Sequence, residues 1–186
     1  MSAVRREEIL DYVTYEEQRD EIRASAMRAK AARRIHVGEY LTFLFENHET
    51  VRYQILEMVR AERMVKEADI VHELETYNEL LGGPGELGCT LLIEVVDEKE
   101  REQRLREWLP LVEHLYARLE DGTRVRPTYD SRQVGEERLS SVQFLKFDTR
   151  GEVPVALGSD FPGVQCEALL TAEQREALRE DLASAG

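Results

Sequence analysis

One short segment, residues 89–96, limits the folds open to this chain more than any other. Its sequence, CTLLIEVV, is a nearly unbroken apolar run, and a run of this length is typical of a strand in the middle of a sheet. The stretch Gly82-Gly83-Pro84-Gly85 comes before it and cannot continue a helix. Because these glycines precede a strand rather than a helix, they lack the helix N-terminus of a phosphate-binding loop, and we interpret them as a turn.

Capping and periodicity signals predict further helices and strands on both sides of this strand. We interpret residues 151–162, which contain two glycines and two prolines, as a loop. The predicted elements are, in chain order, a helix 14–34 opened by a capping box of Thr14 and Glu17, a strand 37–46, a helix 50–67 started by Asn47 or Thr50, a helix 69–80, the strand 89–96, a helix capped by Asp97 that runs to Trp108, a hairpin 115–129 that turns at Asp121-Gly122, strands 141–147 and 164–170, and a C-terminal helix opened by Thr171 and Gln174. This order indicates an α+β fold, with a mostly antiparallel sheet of about five to six strands covered by helices.

The length and composition predict one domain with a hydrophobic core. The chain has 186 residues, of which 42% are hydrophobic, and both values are those of an ordinary globular domain. We expect a single domain over residues 1–186, in which an N-terminal helical segment 1–35 packs on an α+β core 36–186. Cys89 and Cys166 are far apart in the sequence and belong to no CxxC pair, so we expect unreactive core thiols.

The net charge excludes two classes of binding surface. It is −13, from 25 basic and 38 acidic residues, whereas nucleic acids and anionic membranes are bound through cationic faces. No apolar run approaches the roughly 18 residues of a membrane span, and the start of the chain, MSAVRREEILDY, has no signal-peptide segment. We therefore expect a cytoplasmic protein that binds neither nucleic acid nor membrane.

The acidic residues are concentrated in one segment, residues 67–98, which contains no Lys or Arg. The simpler interpretation is a solvated face. The alternative is a docking surface for a basic partner or a cation. The nine acidic residues of this segment are Glu67, Asp69, Glu73, Glu75, Glu79, Glu86, Glu94, Asp97 and Glu98.

The predicted helix 50–67 places charged residues on an apolar face. At 100° per residue, Glu62 falls in the middle of this face and Arg63 falls just beside it. A carboxylate in an apolar seam must be paired, hydrogen-bonded, metal-bound or protonated. Glu62 is therefore either half of a structural ion pair with an arginine or a perturbed carboxylate or metal ligand. The apolar face consists of Val51, Ile55, Met58 and Val65, and the opposite face, with Glu49, Tyr53, Glu57 and Arg60, is predicted to be solvated.

Asp69, His72 and Glu75 share one stripe of the predicted helix 69–80. A carboxylate three residues from a histidine is half of a di-iron bundle motif, but such a site also needs glutamates on other long helices. We therefore favour a surface position for His72. His36, His48 and His114 have no metal-ligand spacing to one another, and the sequence leaves metal ions and cofactors unknown.

Several segments together resemble an uncharacterised bacterial family, domain of unknown function 3501. The resemblance covers most of the chain and closes near Asp160-Phe161-Pro162, where the family pattern is Asp-His-Pro, so that Phe161 departs from it. The matching segments are LFEN at 44–47, VRYQILEMVRAER at 51–63, ELETYN at 73–78, CTLLIE at 89–94 and SVQFLKF at 141–147.

This resemblance assigns no activity, but it implies a redox setting, which is the kind of metabolism in which the protein would take part. It implies genes that lie near rubrerythrin-like proteins and iron–sulfur or flavin-linked oxidoreductase subunits, and hence an accessory role in redox or peroxide metabolism. The family block includes Glu46, Asn47, Tyr53, Glu57, Arg60, Glu62, Arg63, Tyr77 and Asn78.

We therefore carry two functional hypotheses. The first is a non-catalytic accessory protein that binds a redox protein as its partner. The alternative is an enzyme, or a small-ligand or metal-binding protein, with a carboxylate–arginine pocket on the helix 50–67. An antiparallel sheet can leave an edge for a second copy to cover, so a homodimer is compatible with either hypothesis. The candidate binding residues are Glu57, Arg60, Glu62, Arg63, Tyr77 and Asn78.

Overall fold

Strand β3, Glu86–Ile93, is the central strand of a five-stranded antiparallel sheet, as the apolar run predicts. The computed structural model describes residues 2–130, 135 and 137–184 of the chain. Most residues of β3 are buried, including neighbours that point to opposite faces of the sheet, and this explains the nearly continuous apolar sequence. The strand order is β1 (Arg34–Val37), β2 (Leu41–Phe45), β3, β7 (Val142–Asp148) and β6 (Thr128–Tyr129).

A second antiparallel sheet of four strands accompanies the first. Its strand order is β5 (Arg124–Val125), β4 (Leu115–Arg118), β8 (Ala156–Phe161) and β9 (Val164–Leu169). The α+β class is therefore confirmed. The five-stranded antiparallel sheet is the predicted one, and the described residues form a second sheet of four strands in addition to it.

Two segments account for the additional strands. The predicted strand 37–46 is instead the turn and second strand of a hairpin of β1 and β2, which begins earlier, at Arg34, and turns where Gly38 adopts a φ of 65°. The predicted loop 151–162 contains β8, which pairs with β4 on one side and β9 on the other. Gly158 lies inside β8, because the ring of Tyr116 packs against its backbone and leaves no room for a Cβ atom.

Three of the five α-helices that the described residues form begin at the predicted capping residues. The Asn47 side chain caps α2, the Asp97 side chain caps α4, and Thr171 and Gln174 form the capping box of α5. The predicted capping box of Thr14 and Glu17 is wrong, because Asp11 accepts the backbone amides of Val13 and Thr14 and starts α1 earlier. The helices are α1 (Tyr12–Ala31), α2 (His48–Ala61), α3 (Glu67–Asn78), α4 (Glu98–Glu107) and α5 (Ala172–Ala183).

Two groups of buried apolar side chains hold these elements together. The larger group contains side chains of both sheets together with side chains of α4 and α5, such as Leu105 and Leu178. The smaller group contains side chains of α1, α2 and α3 together with Val4 and Ile9 from the N-terminal segment. Among the described residues, no helix has the length and apolar character needed to cross a membrane.

Candidate functional site

A groove of about 540 Å³ lies between α3 and the five-stranded sheet. Tyr77 and Leu80, at the end of α3 and just after it, form one wall, and Phe144 and Lys146 of β7 form the other. Burial alternates along β7, so that Phe144 and Lys146 point away from the core that Leu145 faces. The groove therefore lies on the outward face of this part of the sheet.

The lining of the groove combines aromatic and acidic side chains. Phe144 keeps 42% of its surface exposed, and the rings of Tyr77 and Tyr129 also line the groove. Among the described residues that line the groove, Glu73, Glu79 and Asp130 carry carboxylates and Lys146 carries an ammonium group. An exposed aromatic surface in a concave site is typical of a binding site rather than of a packed core.

The glycine-rich turn 82–88 sets the distance between the two walls. A Cβ atom at Gly88 would lie 1.8 Å from the carbonyl oxygen of Leu80, and one at Gly82 would lie 2.3 Å from the carbonyl oxygen of Glu86. The chain therefore folds back on β3 closely enough to place Leu80 beside the sheet. The sequence identifies this turn, but its contribution to the groove depends on contacts that only the fold reveals.

Glu57 and Arg60 are not in this groove, since helix α1 covers the face that carries them. The carboxylate of Glu57 accepts hydrogen bonds from the Tyr15 hydroxyl at 2.6 Å and from Arg19 Nε at 2.8 Å. Arg60 Nη2 contacts the same carboxylate at 3.4 Å. The prediction of a solvated face is wrong, because Tyr15 is buried and only 19% of the Glu57 side chain is exposed. These partners satisfy Glu57, and the arrangement is a structural ion pair that joins α1 to α2.

The surroundings of Glu57 shift its pKa strongly. Burial disfavours the ionised carboxylate, but the hydrogen bonds from Arg19 and Tyr15 outweigh this and lower the pKa of Glu57 to about 2. Burial and the hydrogen bond to Glu57 raise the pKa of the Tyr15 hydroxyl well above its usual range. Glu57 is therefore ionised and Tyr15 protonated at all ordinary pH values.

The shifted pKa of Glu57 makes folding stability depend on pH. A carboxyl group with a depressed pKa in the folded protein contributes its stability above its unfolded pKa, here near 4.5, and loses that contribution as the pH falls towards about 2. We expect Glu57→Gln to lower the free energy of unfolding by about 2 kcal/mol at pH 7 and by much less at pH 3. Urea unfolding at both pH values measures this difference. Glu17→Gln, at an exposed position of α1, is the control, and an equal loss for Glu57→Gln at both pH values would contradict the assignment.

Glu62 and Arg63 are exposed and do not lie in an apolar seam. Helix α2 ends at Ala61, Glu62 is its C-terminal cap, and Arg63 adopts a φ of 49°. The amide of Met64 donates to the carbonyl of Val59 at 3.0 Å, which closes the helix in the manner of a left-handed C-terminal motif. The helical periodicity used for the prediction therefore stops before Glu62, and Val65 is exposed instead of buried.

Tyr77 and Asn78 are adjacent in the sequence but have different roles in the structure. Tyr77 is the candidate residue that lines the groove. Asn78 instead holds the N-terminal segment, because its amide group donates to the Val4 carbonyl and accepts from the Val4 amide, both at 2.9 Å. Asn78 therefore holds the N-terminal segment and does not line the groove.

A polar cluster on the four-stranded sheet is absent from the sequence prediction. Asp160 accepts hydrogen bonds from Arg126 and contacts His114 Nδ1 at 2.9 Å. The hydrogen bond from Arg126 lowers the pKa of Asp160 to about 2, although burial opposes this change. Arg124 stacks over the Tyr116 ring at 4.2 Å. Asp160 belongs to the closing segment of the family resemblance, and this was the one signal that could have drawn attention to it.

The remaining candidates for metal or thiol chemistry are His72, Cys89 and Cys166. His72 is exposed. Burial raises the pKa of the Cys89 and Cys166 thiols, so neither is an activated thiolate. Within residues 2–130, 135 and 137–184, no three His, Cys, Asp or Glu side chains converge as a metal site would require.

A family model described as protein of unknown function (DUF3501) matches residues 3–182. The chain belongs to this family. The match covers nearly the whole sequence and confirms the resemblance carried by the segments at 44–47, 51–63, 73–78, 89–94 and 141–147.

The fold of this DUF3501 chain is also similar to a crystal structure of a novel protein of unknown function from Burkholderia pseudomallei. The two share 27% sequence identity, the TM-score is 0.88, and the similarity covers 97% of this chain and 100% of the other. No curated protein matches the chain. The groove must therefore be interpreted from its own chemistry.

Proposed function

We propose that this DUF3501 protein is a non-catalytic accessory protein, and that its groove binds a segment of a partner protein. The observation that supports this proposal most is the aromatic surface of Phe144, which is exposed inside a cavity of about 540 Å³. A partially exposed aromatic ring gains free energy when another apolar side chain covers it. Aromatic side chains in pockets are also where protein interfaces concentrate their binding energy.

The side chains around the groove favour binding over catalysis. Cys89 lines it but is buried, and burial raises the pKa of its thiol. The strongly perturbed carboxylates, Glu57 and Asp160, lie outside it and are held by arginines. The family resemblance supports a partner from redox or peroxide metabolism, and we include that setting in the proposal.

The proposed binding by the groove is tested by a substitution of Phe144 in its β7 wall. We expect peptides selected from a random display library on the purified protein to bind it in fluorescence anisotropy. Phe144→Asp should weaken that binding at least about tenfold, because it removes the apolar contact and adds a charge that must be desolvated. Val142→Asp is the matched control, since Val142 lies on the same strand and face and is 38% exposed but does not line the groove.

Two results would contradict the proposal. The first is a selection that enriches no peptide, and the second is a set of peptides that bind Phe144→Asp as tightly as the wild-type protein, provided that circular dichroism shows both variants folded. The same peptides also test the redox setting. They are expected to displace a bound rubrerythrin-like protein from the groove, and a rubrerythrin-like protein that does not bind at all removes the redox setting from the proposal.

A further inference from the structure

We infer that the segment bound in the groove is cationic and carries one apolar anchor side chain; this inference rests on the proposed function. The first observation is an imbalance of charge along α3. This helix and the turn after it carry Glu73, Glu75 and Glu79 with no basic residue among them. Among the residues that the structure describes, these three glutamates form no ion pair, whereas Glu67 at the start of α3 is paired with Arg6 at 2.7 Å.

Two of these glutamates line the groove. Glu73 and Glu79 lie on its α3 side, and Asp130 and Lys146 lie on its β6 and β7 side. Glu73 and Glu79 alone outnumber Lys146, so the described residues of the lining carry an excess of negative charge. An acidic segment of a partner would therefore be repelled, and a neutral one would leave Glu73 and Glu79 without a counter-ion.

The apolar surface and the carboxylates of the groove make different contributions to binding. The apolar contact with Phe144 lies inside the groove and is shielded from water when the groove is filled, so the anchor side chain supplies most of the affinity. Glu79 is exposed and Glu73 is half-buried, so each ion pair with them contributes only about 0.2–1 kcal/mol and is screened by salt. The charges therefore select the sign of the partner segment and accelerate its association.

The experiment uses three synthetic octapeptides that share a central phenylalanine and differ only in their flanking residues, which are Lys, Ser or Asp. We expect the Lys peptide to bind the full-length protein at least about tenfold more tightly than the Asp peptide at low salt. This preference should shrink as the salt concentration rises from about 0.05 M to about 0.5 M. Fluorescence anisotropy measures each affinity.

Charge reversal on α3 provides the decisive comparison. Glu73→Lys combined with Glu79→Lys is expected to abolish or invert the preference for the Lys peptide. Glu75→Lys is the matched control, because Glu75 lies on the same helix and is exposed but does not line the groove. An equal effect of Glu75→Lys would mean that the general field of the protein, and not the groove, selects the peptide, and this would overturn the inference.

The failure of this inference can be distinguished from failure of the proposed function. If all three peptides bind equally and all lose binding in Phe144→Asp, the groove is a binding site but its partner is not selected by charge. If the Lys peptide binds Phe144→Asp as tightly as the wild-type protein, the groove is not the site, and the inference and the proposed function both fail. If none of the three peptides binds while library-selected peptides do, the inferred combination of positive charge and one anchor is wrong.

Discussion

Gly88→Ala is expected to lower the free energy of unfolding by about 3–4 kcal/mol. The added Cβ atom would lie 1.8 Å from the carbonyl oxygen of Leu80, and backbone atoms cannot rotate away as a flexible side chain can. Strand β3 cannot retreat either, because the carbonyl of Gly88 accepts the amide of Glu46 at 2.9 Å and Gly88 pairs with Lys146 across the ladder. Leu80 must therefore move, and with it the wall of the groove.

Urea unfolding followed by circular dichroism measures the effect of Gly88→Ala. Gly163→Ala is the matched control, since the nearest atoms to its Cβ position are side-chain atoms of Phe161 and Trp108 at 3.4 Å. We expect the control to change the free energy of unfolding by less than about 1 kcal/mol. A Gly88→Ala protein as stable as this control would show that the contact between Leu80 and β3 is not required by the fold.

Asp181→Ala is expected to lower the free energy of unfolding by about 3–5 kcal/mol. The Asp181 carboxylate accepts two hydrogen bonds from the Arg33 guanidinium, at 2.7 and 2.8 Å, and thereby joins α5 to the residue that precedes β1. Both side chains are almost completely buried, with 7% of Arg33 and 5% of Asp181 exposed. Removing the carboxylate leaves a buried guanidinium without its counter-ion, and this costs more free energy than the pair itself contributes.

A double substitution distinguishes the effect of losing the ion pair from the effect of leaving the buried guanidinium unpaired. Replacing Arg33 with Met together with Asp181→Leu removes both charges, and we expect this protein to be more stable than Asp181→Ala alone. Glu180→Ala, at the exposed neighbouring position, should change the free energy of unfolding by less than about 0.5 kcal/mol. A double variant that is as unstable as Asp181→Ala would assign the loss to packing rather than to the unpaired guanidinium. Chemical denaturation of the four proteins gives all the values needed.

Local signals predicted the elements that depend on neighbouring residues. The apolar run at 89–96 identified the central strand, and Thr171 and Gln174 identified the start of α5, because a capping box needs only residues three apart. The same signals gave the wrong helix start where two nearby residues can both act as the N-terminal cap. Asp11 and Thr14 can both cap α1, and the carboxylate of Asp11 accepts two backbone amides there.

The candidate site depended on contacts between distant residues. Tyr77 was identified as a candidate, yet Phe144 and Lys146 of the same groove were not, because nothing local distinguishes them from other outward residues of a half-buried strand. The sequence predicts a solvated face for Glu57 because the helix periodicity of α2 cannot reveal that α1 covers this residue. Glu62 was assigned to an apolar seam because no glycine marks the end of α2 at Arg63.

The sequence by itself determined the α+β class, the central strand and the family of this protein. It also determined that the segment 67–98 is acidic and lacks basic residues. Only the tertiary structure decided that α3 faces the sheet across a groove and that Arg33 meets Asp181 from 148 positions away. The physical reason is that helix caps and strand patterns depend on residues within a few positions of one another. A groove or a buried ion pair instead depends on which faces of distant elements meet, and that choice is made by the packing of the whole chain.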